Sequence, residues 1–225
     1  MRKLFIMLGC MLITASAAQA QSERRHEFYG GYSQLQAEGI PDRDSPGNVF
    51  NDNFFERRKG LNGFEVSGGG YFNSVVGLKG DFSFHTDKSS TNFASGSNSI
   101  KTDVYYFLGG PVLRFGNGSR VEPFVHALAG GANTRFEVAS VRTVTGGTTR
   151  SSFETNSTDF AAALGGGLDV RLNDGVSVRL FQIDWAPVFL RDRTINVLGS
   201  AGAIVPITLD GQRQDNVRFS TGVIF

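Results

Sequence analysis

His85, His126, Glu65 and Glu122 are residue types that could hold a metal ion or move protons. The two histidines are far apart in sequence, and no nucleophile stands beside an adjacent base, so their spacing writes neither a metal motif nor a catalytic one. Sulfur offers little more, because the single cysteine, Cys10, sits inside an apolar leader. The glycine runs Gly68–Gly70 and Gly165–Gly167 could suggest a phosphate cradle, but neither is followed by Lys-Ser/Thr or opens a helix. They read instead as places where strands pack closely and inward side chains need room. The sequons at Asn117 and Asn156 read as accidental in a bacterial export context. No catalytic residue, cofactor or metal is expected, and the ionisable residues are better suited to a buried polar network.

The leader sets the compartment. Arg2 and Lys3 precede an apolar run from Leu4 to Ile13, then small residues ending Ala18-Gln19-Ala20, the pattern of a signal peptide over residues 1–20. Leu8-Gly9-Cys10 resembles a lipobox, but the apolar run before Cys10 is short for one. Without Arg2 and Lys3 the 22 basic residues become 20 against 21 acidic, a formal charge of −1. Nucleic acid is therefore not an expected partner.

Residues 21–225 read as a single all-β domain. From Val76 to His85 the residues Val76, Leu78, Gly80, Phe82 and Phe84 alternate with Gly77, Lys79, Asp81, Ser83 and His85. The same period of two runs from Gly63 to Phe72, joined to the first strand by a tight turn at Asn73 and Ser74, and again from Asp159 to Arg171. Asn173, Asp174 and Gly175 then turn into Val176, Val178 and Leu180, and Gly116–Ser119 joins strands over 102–115 and 121–135. Strands near Glu27–Gln36 and Gln214–Phe225 open and close the set, giving about eight, the even count that bacterial membrane barrels require. Between Leu180 and Ile183 the pattern slips by one residue, which predicts a β-bulge near Leu180 or Phe181 that keeps Arg179, Gln182 and Asp184 on the polar face.

Stretches near residues 37–60, 87–99, 136–158 and 190–213 read as long polar loops that alternate with the short turns. A barrel with both termini in the periplasm has this asymmetry; a sandwich or a soluble ligand barrel has no reason for it. The polar face carries Glu65, Lys79, Asp81, His85, Glu122, His126, Asp159, Asp169, Arg171, Arg179 and Arg218. A narrow lumen is filled by side chains, so these groups are expected to pair inside while the apolar face meets lipid. Tyr29, Phe72, Phe84, Tyr105, Tyr106, Phe115 and Trp185 are expected to form aromatic girdles at the strand ends.

The chain stops at Val217-Arg-Phe-Ser-Thr-Gly-Val-Ile-Phe225, where Val217, Phe219, Thr221, Val223 and Phe225 occupy alternate positions. This resembles the terminal strand by which outer-membrane proteins are recognised by the barrel-assembly machinery; Thr221 is only half-apolar and Val223 stands where an aromatic is usual. Together with Phe-Leu-Gly-Gly-Pro at 107–111, Pro-Phe-Val-His-Ala at 123–127 and Gly-Gly-Gly-Leu-Asp-Val-Arg at 165–171, it makes the chain similar to the OmpA-like β-barrel domain family. The resemblance implies an eight-stranded up-and-down monomer in outer-membrane lipid, with a polar plugged interior and little fixed chemistry. The peptidoglycan-binding domain of full OmpA proteins is not expected, because the sequence ends on its last strand. The expected function is a structural or surface-interaction role, adhesion or membrane integrity, with an extracellular ligand meeting the loops. The alternative is a narrow porin or small-solute transporter.

Overall fold

The computed structural model describes residues 26–38, 58–93, 96–116, 119–144, 147–191, 193–198, 204–209 and 213–225. The expected signal peptide lies outside them. Among the described residues every regular element is a strand: β1 (His26–Glu38), β2 (Arg58–Tyr71), β3 (Val76–Phe93), β4 (Gly96–Arg114), β5 (Val121–Val144), β6 (Gly147–Arg171), β7 (Ser177–Trp185), β8 (Val188–Phe189), β9 (Arg193–Leu198), β10 (Ile204–Leu209), β11 (Arg213–Gln214) and β12 (Val217–Ile224).

Neighbouring strands pair antiparallel in chain order from β1 to β7, and β12 pairs with both β7 and β1. That closed circuit leaves no open edge in the barrel wall, as a backbone in lipid requires. It is consistent with the eight strands expected. The short β8 and β11 pair at the rim and prolong β7 and β12.

Three tight connections lie at one end. Asn73 Oδ1 accepts hydrogen bonds from the backbone N–H groups of Val75 (2.8 Å) and Val76 (2.7 Å). Asn173 Oδ1 does the same for Gly175 (2.9 Å) and Val176 (2.8 Å), so both expected turns form around an Asn side chain that mimics backbone. In the third, Gly116 adopts φ 91°, a conformation that glycine reaches without steric cost. Phe28 and Phe225 exchange backbone hydrogen bonds of 3.0 and 2.9 Å at the same end, so β1 starts and β12 stops there.

The expected bulge is present. Leu168 is opposite Phe181 but Asp169 is opposite Arg179, leaving Leu180 as the extra residue on β7. The Thr221 hydroxyl donates to the freed Arg179 carbonyl at 2.9 Å. Leu180 and Phe181 both point outward, while Arg179, Gln182 and Asp184 are buried.

The loops differ from expectation. Residues 87–99 and 136–158 are not irregular: β3 and β4 remain paired up to Phe93 and Gly96, and β5 and β6 up to Val144 and Gly147. Both faces of these extensions are rich in Ser, Thr, Asn, Lys and Arg, so the ladder continues where the hydrophobic alternation stops. A strand needs about 9–11 residues to cross a membrane. β5 and β6, at 24 and 25 residues, continue far beyond it. Residues 190–213 are not uniformly polar either, and contain the β9–β10 hairpin. Most of the expected loop at 37–60 lies outside the described residues.

Candidate functional site

The lumen is filled in layers, each supplied by several strands. At the end with the tight turns, Arg114 on β4 pairs with Glu27 on β1, lies 4.2 Å over the Tyr71 ring, and donates to the Tyr71 hydroxyl at 2.9 Å. Tyr71 in turn donates to Glu27 at 2.9 Å. Glu122 on β5 pairs with Arg171 on β6 and stands 3.9 Å from Arg114.

One layer further in, Arg179 grips Asp169 with two bonds, 2.8 and 3.0 Å. Its guanidinium is sandwiched between the rings of Tyr29 (4.5 Å) and Phe124 (4.0 Å). This geometry suits the planar cation and satisfies its charge in a site closed to water.

Arg218, fully buried on β12, is the hub of the next layer. It donates to Asp81 at 2.7 Å, to Ser83 at 2.9 Å and to Asp184 at 2.6 and 2.9 Å, and Glu65 lies 3.7 Å away. Lys79 sits 3.3 Å from both Glu65 and Asp81. Gln182 donates to Glu65 at 3.0 Å and to Asp184 at 2.7 Å, and accepts from Arg179 at 2.6 Å, linking this layer to the one below. Ser220 donates to Glu65 at 2.6 Å, and its hydroxyl oxygen can accept from Ser33 at 2.9 Å.

His126 meets Asp184 at 2.9 Å, and His85 meets Ser33 at 2.9 Å. The two contacts involve different histidines, and Nδ1 of His85 has no hydrogen-bond partner, so Ser33 is not part of a Ser-His-acid relay. Among the described residues no group of three or more His, Cys, Asp or Glu side chains could hold a metal ion.

Toward the opposite end the filling becomes apolar. Leu35, Leu61, Val104, Tyr106, Leu108, Leu128, Ala132, Ala161, Ala163, Ala186 and Val188 form one buried cluster, with Phe136 and Leu190 packed against it. The Tyr106 hydroxyl accepts from Asn216 at 2.8 Å and donates to the Ala186 carbonyl at 3.3 Å.

The structure therefore places Glu65, Lys79, Asp81, His85, Glu122, His126, Asp169, Arg179 and Arg218 inside the barrel, with Arg171 a third exposed at the rim. Sequence reasoning missed Glu27, Tyr71, Arg114, Ser33 and Ser220. On β4 the inward residues Val104, Tyr106, Leu108 and Val112 are as apolar as the outward ones, so the period that leads to Arg114 is hidden. Tyr29 and Tyr106, expected in the girdles, are turned into the lumen, where Tyr29 covers Arg179.

A model of the outer membrane protein β-barrel domain matches residues 5–182. The chain belongs to that family. Similar solved structures include Ail, the attachment invasion locus protein of Yersinia pestis, at 16% identity over 89% of this chain and 97% of that one, TM-score 0.46. Neisserial surface protein A is 10% identical over 88% and 95%, TM-score 0.42. OprG of Pseudomonas aeruginosa is 14% identical over 88% and 93%, TM-score 0.45. No curated protein matches the sequence.

As a bacterial outer-membrane barrel, the protein turns its apolar wall toward lipid. Phe64, Phe82, Phe84, Tyr105 and Phe107 form a tilted aromatic ladder across β2, β3 and β4, with ring centroids 4.7–5.9 Å apart. The wall becomes polar toward the end opposite the Asn73, Gly116 and Asn173 turns, where β3–β6 continue as paired extensions, the extracellular end of such barrels. There Tyr32 donates to Asn62 at 2.5 Å, and Trp185 donates to Asp215 at 3.0 Å while Arg213 lies 5.7 Å over its ring. Beyond this level the outer parts of β3, β4, β5 and β6 project as one sheet, laced by Arg135–Glu154 (2.9 Å), Asn133–Asn156 (2.7 Å) and Ser140–Asn98 (2.8 Å).

Proposed function

We propose that this outer-membrane barrel acts at the cell surface, as a structural or adhesive protein, and not as a solute channel. One observation carries the reading: the lumen is closed twice, by the Arg218-centred ionic layers and by the apolar cluster, while the β3–β6 sheet projects beyond the membrane. A rigid scaffold that presents polar segments is where recognition usually resides. Export through residues 1–20, assembly through Val217, Phe219, Thr221, Val223 and Phe225, and a monomeric state complete the proposal. Phe219, Thr221 and Phe225 point outward on β12 and beside its end, as an assembly signal read from outside the lumen requires.

Conductance of the purified, refolded protein in planar bilayers tests the reading. Non-conducting bilayers are expected, and discrete ion-conducting openings would assign the protein to the porins. Deleting residues 137–155, the outer part of the β5–β6 hairpin, is expected to lower adherence of expressing bacteria to host-cell monolayers while the barrel still folds.

A further inference from the structure

The ladder between β5 and β6 continues without a register shift from Val121 opposite Val170 to Val144 opposite Gly147, so β6 is bonded on its β5 side throughout. On its other side β7 reaches only Leu164 and β8 only Phe160. Among the described residues no strand pairs with that side of β6 from Gly147 to Thr158. Ala162 donates its backbone N–H away from β5, to the Pro187 carbonyl at 3.1 Å. The period of two in an unbroken ladder therefore aims the N–H and C=O groups of Thr148, Arg150, Ser152, Glu154, Asn156 and Thr158 at the open edge.

Native sheet edges of this length are usually blunted by proline, a bulge or lysines. Residues 147–158 contain no proline and no lysine, and their only charged members are Arg150 and Glu154. Four residues apart on one strand, these two share a face of the sheet. Both are exposed, Glu154 by 53% even while it holds Arg135 at 2.9 Å.

We propose that the open β6 edge pairs antiparallel with the same edge of a second copy, about a two-fold axis at Ser152. This register sets Arg150 of each copy opposite Glu154 of the other, and unites the free backbone groups from Thr148 to Asn156 into one ladder. An axis at Arg150 or at Glu154 would bring like charges face to face.

Direction fixes where the second copy stands. β6 runs from the extracellular end toward the tight turns, as it does in every copy in the same membrane. Antiparallel pairing therefore joins barrels in two apposed membranes, as between touching cells, and each barrel stays a monomer in its own. A two-fold along the membrane normal would make the edges parallel and turn one sheet over, leaving Arg150 and its partner's Glu154 on opposite faces. The inference rests on the surface-interaction reading and deepens it, by naming the same chain on a neighbouring cell as the partner.

The test uses the full chain displayed on bacteria with short surface glycans, in two populations carrying different fluorophores. Heat-modifiable mobility of the outer-membrane fraction shows that each variant is folded. The unaltered chain is expected to form mixed clumps. Glu154→Arg alone, or Arg150→Glu alone, is expected to reduce clumping by about tenfold or more, because each loss is multiplied over many copies. Mixing cells of the first variant with cells of the second is expected to restore it, since every arginine again meets a glutamate. Ser152→Pro removes an N–H that bonds nothing in the barrel sheet, and is expected to disperse the cells while the barrel stays heat-modifiable.

Cross-linking reads the register. Directly opposite, bonded residues have Cα atoms about 5.5 Å apart, within disulfide reach. Cells with Thr148→Cys mixed with cells with Asn156→Cys are expected to yield a disulfide dimer, and neither population alone. The unaltered chain, whose only cysteine is Cys10, is the blank.

Unaltered cells that stay dispersed overturn the inference, as does clumping that survives the single charge reversals or fails to return on mixing them. Disulfide dimers from either cysteine variant alone mark parallel pairing within one membrane and overturn it equally. Conductance does not depend on this edge. Dispersed cells with a non-conducting barrel refute the edge pairing and leave the surface role standing, whereas a conducting barrel with the expected cross-links refutes the closed lumen and leaves the pairing.

Discussion

Arg218 and Asp184 are register partners across the β7–β12 ladder, and two guanidinium nitrogens of Arg218, at 2.6 and 2.9 Å, converge on one carboxylate oxygen of Asp184. The other oxygen of Asp184 is met by His126 at 2.9 Å, and the remaining guanidinium arm reaches Asp81 on the far wall at 2.7 Å. The bulge at Leu180 makes this possible, because without the extra residue β7 could not keep both Arg179 and Asp184 inside.

Removing Arg218 leaves Glu65, Asp81 and Asp184 buried around a missing cation. Breaking a buried ion pair from one side typically costs about 3–5 kcal/mol, and Arg218→Met is expected to lose at least that in urea unfolding from detergent micelles. Because the two partners share one network, the double variant Arg218→Met, Asp184→Leu should lose less than the sum of the single variants, and strict additivity would show the pair to be uncoupled.

The two arginines of the lower layers are expected to differ. Arg179 is bonded twice to Asp169 and enclosed by two rings, whereas the Arg171 side chain is 32% exposed and faces Glu122 at the rim. Arg179→Met should lower the unfolding midpoint substantially. Arg171→Met should cost no more than about 1 kcal/mol, as expected for a pair partly open to water.

Gly165 is an inward position with no room for a side chain. A Cβ there would meet Asp184 Oδ1 and the Ile183 carbonyl, so Gly165→Ala must displace the carboxylate that His126 and Arg218 share. A loss of about 1–3 kcal/mol, as in overpacked cores, is expected in the same unfolding assay.

The lipid-facing wall predicts a contrast by depth. Val125 points outward from the membrane-spanning part of β5, whereas Ser140 lies on its projecting part. Val125→Arg should cost toward the about 2–4 kcal/mol of a charge placed at the bilayer midplane, and Ser140→Arg close to nothing. Folded yield into phospholipid vesicles, read by heat-modifiable mobility, reports both.

Period-two alternation was enough to locate the wall strands, because one face meets lipid and the other a charged interior, the greatest contrast a strand can show. Val76–His85 and Asp159–Arg171 illustrate it. The signal fails where that contrast vanishes. On the projecting parts of β3–β6 both faces meet water, so Ser, Thr and Asn conceal a ladder that looks like loop. On β4 both faces are apolar, so Tyr106 reads as a girdle residue although it closes the lumen. Partners across the barrel, such as Glu27 with Arg114, depend on distances through the lumen and leave no local mark in the sequence.

Tyr106 and Phe107 are adjacent on β4 and face opposite ways, Tyr106 fully buried and Phe107 59% exposed. The most direct measurement is quenching of tryptophan fluorescence by brominated phosphatidylcholine, with Trp185→Phe as background and a single tryptophan placed at each position in turn. Phe107→Trp is expected to be strongly quenched and Tyr106→Trp nearly untouched. Equal quenching at the two positions, or the reverse order, would contradict a barrel that turns its apolar side chains to lipid and seals its ionic ones within.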